Sequence, residues 1–387
     1  MMFAQVWTPQ ISGSSAWLEK AEFVNDQVGW CVGSGGTILH TTNGGATWAP
    51  QISGTSSYLR DIHMLDVNSG WIVGQDGTVL HTIDGGSNWV PLPFPSVIEL
   101  RALWVISPDT IWVTGTPDIM YRSVDGGMVW EEMLTEVGDE LNSLWFLEDG
   151  SHGWAAGLLT SDAQGQSGQV RITTDGGQSW VLSTASQDLG WFQSIQFTDE
   201  EYGWSCTADG RILRSVDGGV TWATDQIGPG TGFFDLLFID ESEGWCVGGS
   251  GVIWHTFNAG ASWIPEGSNT TQFLYDIEAL PNGKAWAVGA GGTILHRSSG
   301  TTSVHDNDRS SLSIYPVPAA DEFFVSLKDD QLVEVLLYDA AAREVRRWKN
   351  VDRFSPLDVT GLEPGQFTVR VTGSNSASSI RPIIISK

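Results

Sequence analysis

Tryptophan recurs along this chain at a nearly fixed interval, and that interval limits the possible folds more than any other feature. Trp30, Trp71, Trp112, Trp154, Trp204, Trp245 and Trp286 are separated by 41, 41, 42, 50, 41 and 41 residues. A second Trp follows 18 residues later in five copies (Trp48, Trp89, Trp130, Trp222, Trp263); in the fourth copy Trp180 follows after 26, an insertion of eight residues. Each unit reads as four short strands with Gly, Asn and Asp at the joins; in the second unit these are Leu59–Met64, Trp71–Gly74, Thr78–Thr82 and Asn88–Leu92. Four strands in a period of about 40 to 45 residues make one propeller blade. The expectation is therefore an all-β, seven-bladed β-propeller over residues 5–300.

The seventh copy supplies only three strands (Tyr275–Ala279, Ala285–Gly289, Thr293–Arg297), with no Trp where a fourth belongs. The missing strand is at the other end of the chain. Trp7-Thr-Pro-Gln-Ile-Ser-Gly matches Trp48-Ala-Pro-Gln-Ile-Ser-Gly, and Trp7 precedes Trp30 by 23 residues, as Trp48 precedes Trp71. The N-terminal strand is expected to complete the last blade, closing the ring and removing two unpaired sheet edges.

Between the third and fourth strands the units repeat Ser/Thr-x-Asp/Asn-x-Gly-x-x-Trp, with Asn43, Asp84, Asp125, Asp175, Asp217 and Asn258 at the third position. This motif resembles the Asp-box of the bacterial neuraminidase repeat. The carboxylate can accept backbone N–H bonds within the turn, and Gly permits positive φ. Because Asn43 and Asn258 hold the same place, these six residues are expected to form turns rather than to bind ligands or catalyse. Gly29-Trp-Cys-Val-Gly33, Gly36-Thr-Ile-Leu-His40 and Gly292-Thr-Ile-Leu-His296 resemble the photosystem II assembly and stability factor family, over residues 7 to about 300. That resemblance implies a non-enzymatic propeller that binds other proteins.

Composition narrows the partners. The 387 residues carry 46 acids against 19 bases, a formal net charge of −27. Phosphate is repelled by such a chain, and no Lys/Arg run offsets it, so nucleic acid is excluded as a partner. No apolar run is long enough to span a membrane. The three cysteines, Cys31, Cys206 and Cys246, have no CxxC spacing and read as buried thiols. No metal and no cofactor is expected.

After residue 300 the Asp-boxes stop. Residues 301–312 read as a linker, and 313–387 as a small immunoglobulin-like β-sandwich with strands at Phe323–Leu327, Val333–Tyr338, Phe367–Val371 and Pro382–Ser386. Tyr315-Pro-Val-Pro-Ala319, Val335-Leu-Leu-Tyr-Asp339 with Arg343-Glu-Val345, Leu357-Asp-Val-Thr-Gly-Leu362 with Pro364-Gly365, and the terminal Lys387 resemble the type A sorting domain of the type IX secretion system of Bacteroidetes. Val317 and Ala342 depart from that family, which usually has Asn and Gly there. The resemblance implies passage to the extracellular space or outer cell surface, with the secretion machinery as a partner. Export of this kind also calls for an N-terminal signal peptide. Met1–Gln5 is too short to be one, so the N-terminus is expected to be incomplete.

In a propeller the first strand of each blade lines the central channel. The position two before Ile62 holds Glu19, Arg60, Arg101, Gln193, Phe234 and Tyr275, with Asn142 in the fourth copy; two residues earlier stand Trp17, Tyr58, Trp191 and Phe273. Aromatic faces suit sugars and peptide side chains, and Arg anchors carboxylates, so this channel mouth is the expected ligand site for a protein or glycan. The insertion at Leu158–Gln169 falls on the same face. On the opposite face Glu148, Asp149, Asp199, Glu200, Glu201, Asp240, Glu241 and Glu243 read as a solvated surface, with a weak Ca²⁺ contact as the alternative. His40, His81, His255 and His296, with Arg122 and Arg214, share one third-strand position spread around the ring and read as structural.

The alternative function is a glycoside hydrolase of the sialidase or xyloglucanase type. Such an enzyme needs opposed carboxyls, and Asp61, Asp235 and Asp276 are the candidates. A sialidase would also need a third mouth arginine, which the sequence does not provide.

Overall fold

In a computed structural model the chain divides into two compact units, Met1–His255 with Ile264–Gly300 and Thr301–Lys387 with Thr256–Trp263. The structure describes residues 7–117, 119–133, 139–159, 167–183, 189–226 and 232–298, and, further on, 312–315, 322–327, 332–339, 343–349, 351, 356–373 and 378–385. No helix among them is long and apolar enough to cross a membrane.

Seven antiparallel four-stranded sheets form the blades. Their first strands are Leu18–Phe23, Leu59–Met64, Glu99–Val105, Asp139–Phe146, Phe192–Phe197, Phe233–Phe238 and Leu274–Ala279. In six blades the following three strands come next in the sequence. In the seventh the outermost strand is Thr8–Gln10, paired with the third strand so that Thr8 faces His296 and Gln10 faces Ile294. The expected closure by the N-terminus is what the ladder shows. In the second blade the fourth strand is only Val90–Pro91, shorter than expected. Asn88 belongs to the preceding turn, and proline cannot donate to a ladder.

The apolar cores lie between blades rather than within them. Trp71, Val73 and Val79 of blade two pack with Leu100, Leu103 and Val105 of blade three, and Trp286, Val288 and Ile294 of blade seven with Leu18, Ala21 and Phe23 of blade one. The recurrent second-strand Trp is fully buried and stacks on the next blade: Trp286 on Phe23 at 3.7 Å, Trp154 on Phe197 at 3.7 Å, Trp204 on Phe238 at 4.0 Å. In three blades its indole N–H also reaches the next blade's Asp-box turn: Trp154 donates to Gly218 O at 2.8 Å, Trp71 to Gly126 O at 3.2 Å and Trp286 to Gly44 O at 3.3 Å. On the other face the Trp stacks against its own blade's third-strand residue, His81 on Trp71 at 4.3 Å and His255 on Trp245 at 4.3 Å; Arg122 lies over Trp112 at 5.5 Å.

The Asp-box turns share one geometry. Asp84 Oδ1 accepts from Thr82 Oγ1 (2.9 Å) and Asn88 N (2.8 Å), while Gly86 N donates to Thr82 Oγ1. Asp125, Asp175 and Asp217 accept the equivalent backbone N–H at 2.9, 2.9 and 2.8 Å. Asn43 and Asn258 do the same with Oδ1 at 2.9 Å, while their amides donate to Thr47 and Ser262. Only one oxygen must accept, which is why an amide serves as well as a carboxylate.

The C-terminal unit contains two antiparallel sheets. One joins Leu312–Tyr315, Glu322–Leu327 and Leu357–Asp358; the other orders Glu344–Lys349, Leu332–Tyr338, Gly365–Gly373 and Ser378–Ile385. A single core of Phe323, Val325, Val335, Leu337, Val369, Val371, Ile383 and neighbours lies between them. The strand Glu344–Lys349, absent from the sequence reading, sits at a sheet edge and is mostly charged, so it lacks the apolar alternation of a half-buried strand.

Trp7 is fully buried and its indole N–H donates to Glu266 Oε2 at 2.8 Å. Replacing Trp7 by Ala is expected to cost about 3–5 kcal/mol, read as a fall in the chemical-denaturation midpoint. Removing residues 1–12 should leave the Ile294–Arg297 edge open and produce oligomers on size-exclusion chromatography. Asp84→Asn should lower the melting temperature less than Asp84→Ala.

Candidate functional site

All seven first strands carry a β-bulge at the same place. The register slips between Leu18 and Lys20, Leu59 and Asp61, Leu100 and Ala102, Leu141 and Ser143, Phe192 and Ser194, Phe233 and Asp235, and Leu274 and Asp276. The residue skipped each time is the mouth position: Glu19, Arg60, Arg101, Asn142, Gln193, Phe234 or Tyr275. A bulge places two residues opposite one and redirects a side chain. Here it lets two successive polar residues, such as Arg60 and Asp61, both line the channel. The second-strand glycine allows the bulge to sit close: a Cβ at Gly74 would lie 2.2 Å from Tyr58 O, and one at Gly33 would lie 1.9 Å from Trp17 O.

One side of the mouth is an ion-pair ladder. Arg60 Nη1 lies 2.8 Å from Glu19 Oε1, its Nε donates to Glu99 Oε1 at 2.8 Å, and its Nη2 contacts the same oxygen. Arg101 Nη1 donates to Asn142 Oδ1 at 2.6 Å and lies 3.6 Å from Glu140, while Nη2 lies 3.4 Å from Glu99. Tyr58 donates its hydroxyl to Glu19 Oε2 at 2.7 Å and stacks beneath the Arg60 guanidinium, 4.2 Å away. Burial works against the Arg60 charge, but Glu19 and Glu99 outweigh it and hold the guanidinium above its ordinary pKa. Glu99 is correspondingly held low by Arg60 and Arg101 against its own burial. The arginines that sequence reasoning offered as carboxylate anchors are thus already bound to carboxylates.

The other side is aromatic. Trp17, Phe234, Phe273 and Tyr275 form a cluster with ring centroids 5.6–6.5 Å apart, and Trp17 and Phe273 remain 53% and 47% exposed. Trp191 and Gln193 line the cavity on blade five. The outer part of the insertion, residues 160–166, lies outside the described residues; its ends extend the second and third strands of blade four, Gly153–Leu159 and Ser167–Thr173.

Mouth and channel together form one open cavity of about 530 Å³. Its walls hold Asp61, Asp235, Asp276, Glu22 and Glu278, and one lysine, Lys20. Lys20 Nζ lies 2.6 Å from Asp276 and 3.9 Å from Asp235. The aspartates strap neighbouring blades: Asp61 Oδ2 accepts from Leu103 N (2.7 Å), Asp235 Oδ2 from Ile277 N (3.1 Å) and Asp276 Oδ2 from Ala21 N (2.8 Å). Ser143 Oγ plays the same part toward Ile195 N at 3.1 Å. A serine in the same role shows that the position needs an acceptor rather than an acid. Burial pushes Glu22 up to about 8 and Asp61 to about 6, and raises Glu278 well above the usual carboxylate range, with Glu22 and Asp276 adding to the effect. Lys20 is held well above its ordinary value because Asp276, Asp235 and Asp61 outweigh its burial.

Sequence reasoning passed over Glu99, Glu140, Lys20, Glu22 and Glu278. Glu99 and Glu140 occupy the same repeat position as Trp17 and Tyr58, so the register alone could have found them. On the opposite face Asp149, His152 and Glu200 bring ligand-type atoms within 4.8 Å of one another. Asp149 is 44% and Glu200 67% exposed, and Asp149 already accepts from Ser151 N and His152 Nδ1 within its own loop.

The raised carboxyls make stability fall with pH. Glu22 and Glu278 keep their protons in the folded chain at pH values where the unfolded chain has lost them. The Glu22 contribution is therefore complete below about pH 4.5 and lost as pH rises through about 8, and the raised Glu278 carboxyl acts in the same direction. The melting temperature, followed by tryptophan fluorescence, is expected to drop between pH 5 and pH 9. The double variant Glu22→Gln/Glu278→Gln should flatten that decline.

Three matches to the family model described as photosynthesis system II assembly factor YCF48, the first two overlapping, cover residues 2–97, 51–181 and 182–265. The model for the secretion system C-terminal sorting domain matches residues 313–386. Among solved structures the chain is similar to YCF48 bound to D1 peptide, at 21% identity and TM-score 0.63, over 76% of this chain and 95% of that one. It is also similar to YCF48 from Cyanidioschyzon merolae, at 19% identity and TM-score 0.62, over 75% and 98%. The WD40 propeller of Doa1 gives TM-score 0.62 at 10% identity, over 76% and 98%, which reflects the fold alone. Comparison with curated proteins returns no match. With more than half of its length matched and seven sheets in ring order, the chain belongs to the YCF48-type assembly factor family of propellers and ends in a secretion sorting domain.

Proposed function

We propose that this is an exported, non-enzymatic binding protein whose propeller, residues 5–300, holds a segment of a protein partner at the channel mouth. Residues 313–387 address it to the type IX secretion machinery, and the mature protein works outside the cell or on its outer surface. The observation that carries the reading is the mouth itself: seven bulges turn seven side chains to one rim, and two exposed aromatics, Trp17 and Phe273, stand there beside fixed ion pairs. Exposed aromatic side chains set on a rigid scaffold are typical of interface anchors. A relative of similar fold has been solved as YCF48 bound to D1 peptide, which favours a peptide over a glycan.

Catalysis is disfavoured by what the candidate carboxyls already do. Asp61, Asp235 and Asp276 each spend an oxygen on a neighbouring blade's amide, and Asp276 also holds Lys20. Glycoside hydrolysis needs one carboxyl free to donate a proton and another free to attack or to activate water.

The test uses the full chain against an array of blocked twelve-residue peptides and a panel of polysaccharides and sialylglycans, with tryptophan fluorescence for binding and reducing-sugar release for cleavage. Peptide binding without sugar release is expected, and Trp17→Ala/Phe273→Ala should weaken it by about tenfold or more. Sugar release abolished by Asp235→Asn, or binding indifferent to the double variant, would overturn the reading.

A further inference from the structure

The charges around the mouth and channel point to the chemistry of the ligand; this inference rests on the peptide-binding reading above. The ladder holds three acids, Glu19, Glu99 and Glu140, for two bases, Arg60 and Arg101, and both guanidinium groups are already engaged. Deeper in, five carboxyls face one ammonium. Lys20 is committed to Asp276, and Glu278 makes no hydrogen bond or ion pair among the described residues. An entering carboxylate would find no unengaged base and several acids. An entering cation would find the reverse, together with the exposed faces of Trp17 and Phe273 at the rim. Aromatic faces attract ammonium and guanidinium groups and cover their aliphatic stems. The cavity, about 530 Å³, is of small-ligand size and has room for a long side chain.

We propose that the channel of this propeller receives a cationic side chain, lysine or arginine, presented by a partner peptide that lies on the Trp17–Phe273 rim, with the channel carboxyls, Glu22 and Glu278 among them, receiving its charge.

Proton linkage follows from the same geometry. Glu278 is faced by Glu22 and Lys20 from blade one, by Asp235 from blade six and by Asp276 on its own strand; Glu22 is faced by Lys20 on its own strand and by Asp61 from blade two. His63 of blade two stays neutral, since burial lowers it to about 4. The unfilled channel thus balances its excess of acids by keeping protons on Glu22 and Glu278. A cation takes the place of such a proton, which leaves to solvent. Affinity should therefore rise with pH through the Glu22 value of about 8.

The experiment titrates the full chain with four N-acetylated, C-amidated peptides that differ only in a central residue between two phenylalanines: arginine, lysine, glutamine or glutamate. A fifth peptide has the glutamine core and a free N-terminal amine. Tryptophan fluorescence reports binding, and calorimetry in two buffers of different ionisation enthalpy reports proton release. The expected result is that the arginine and lysine peptides bind about tenfold tighter than the glutamine peptide, a difference of about 1.4 kcal/mol, with glutamate weakest. Their affinity should increase by about threefold or more from pH 6.5 to 8.5, with protons released. Glu22→Gln/Glu278→Gln should remove both the preference and the pH dependence, while Asp84→Asn changes neither. Equal binding of the glutamine or glutamate peptide, if sensitive to Trp17→Ala, would overturn the cation while sparing the peptide reading. Preference for the free N-terminus alone would overturn the side-chain assignment. Failure of all five to bind would overturn both readings.

Discussion

Everything in the propeller depends on one buried indole per blade. The second-strand Trp lies between two partners, a third-strand residue of its own blade on one face (His or Arg in six blades, Ile172 in the fourth) and the first strand of the next blade on the other, as Trp286 lies between His296 and Phe23. In blades two, four and seven its N–H then ties the pair to the next Asp-box turn, as Trp154 does at Gly218. A blade alone would expose this ring. Its large apolar surface is buried only when a neighbour arrives, so the stable unit is the complete circle rather than the blade.

The circle sets the mouth. Once the outer edges are joined by Trp and Asp-box, the first strands converge on the axis with no room for two flat faces of side chains. Each strand resolves this with a bulge, backed by glycine in six blades and by Thr207 in the fifth, and the straps from Asp61, Ser143, Asp235 and Asp276 fix neighbouring first strands to one another. The side chains left facing the opening are therefore held by backbone on both sides. A site built on such a frame loses little freedom when a ligand arrives.

The period of 41 residues, the missing seventh outer strand and the turn role of the Asp-boxes were legible because each is a local pattern repeated many times. Even the bulge left a trace: in Leu59-Arg60-Asp61-Ile62 two polar residues interrupt a one-in-two alternation, a slip of register that a flat strand would not tolerate. What could not be read was pairing across blades. Arg60 and Glu99 are 39 residues apart, and nothing in either segment says that one neutralises the other. The same holds for Lys20 and Asp276, neighbours in the ring but near opposite ends of the propeller's sequence. In the tail, core strands announced themselves by alternating Phe and Val, whereas the charged edge strand Glu344–Lys349 did not.

The outermost strand of the last blade is the first stretch of the propeller to be made. Thr8 must wait for His296, 288 residues later, before it has a partner. Few contacts in a protein of this size bring together residues so distant in sequence, and such contacts fold slowly because loop closure must precede any reward. Until then Trp7 has no pocket, since Glu266 and the strands around it have yet to form. An emerging chain thus remains an open arc, and only a complete propeller can seal. For a protein carrying a secretion address, closure doubles as a checkpoint on length: a truncated product would keep an adhesive edge, marking it as substrate for quality control.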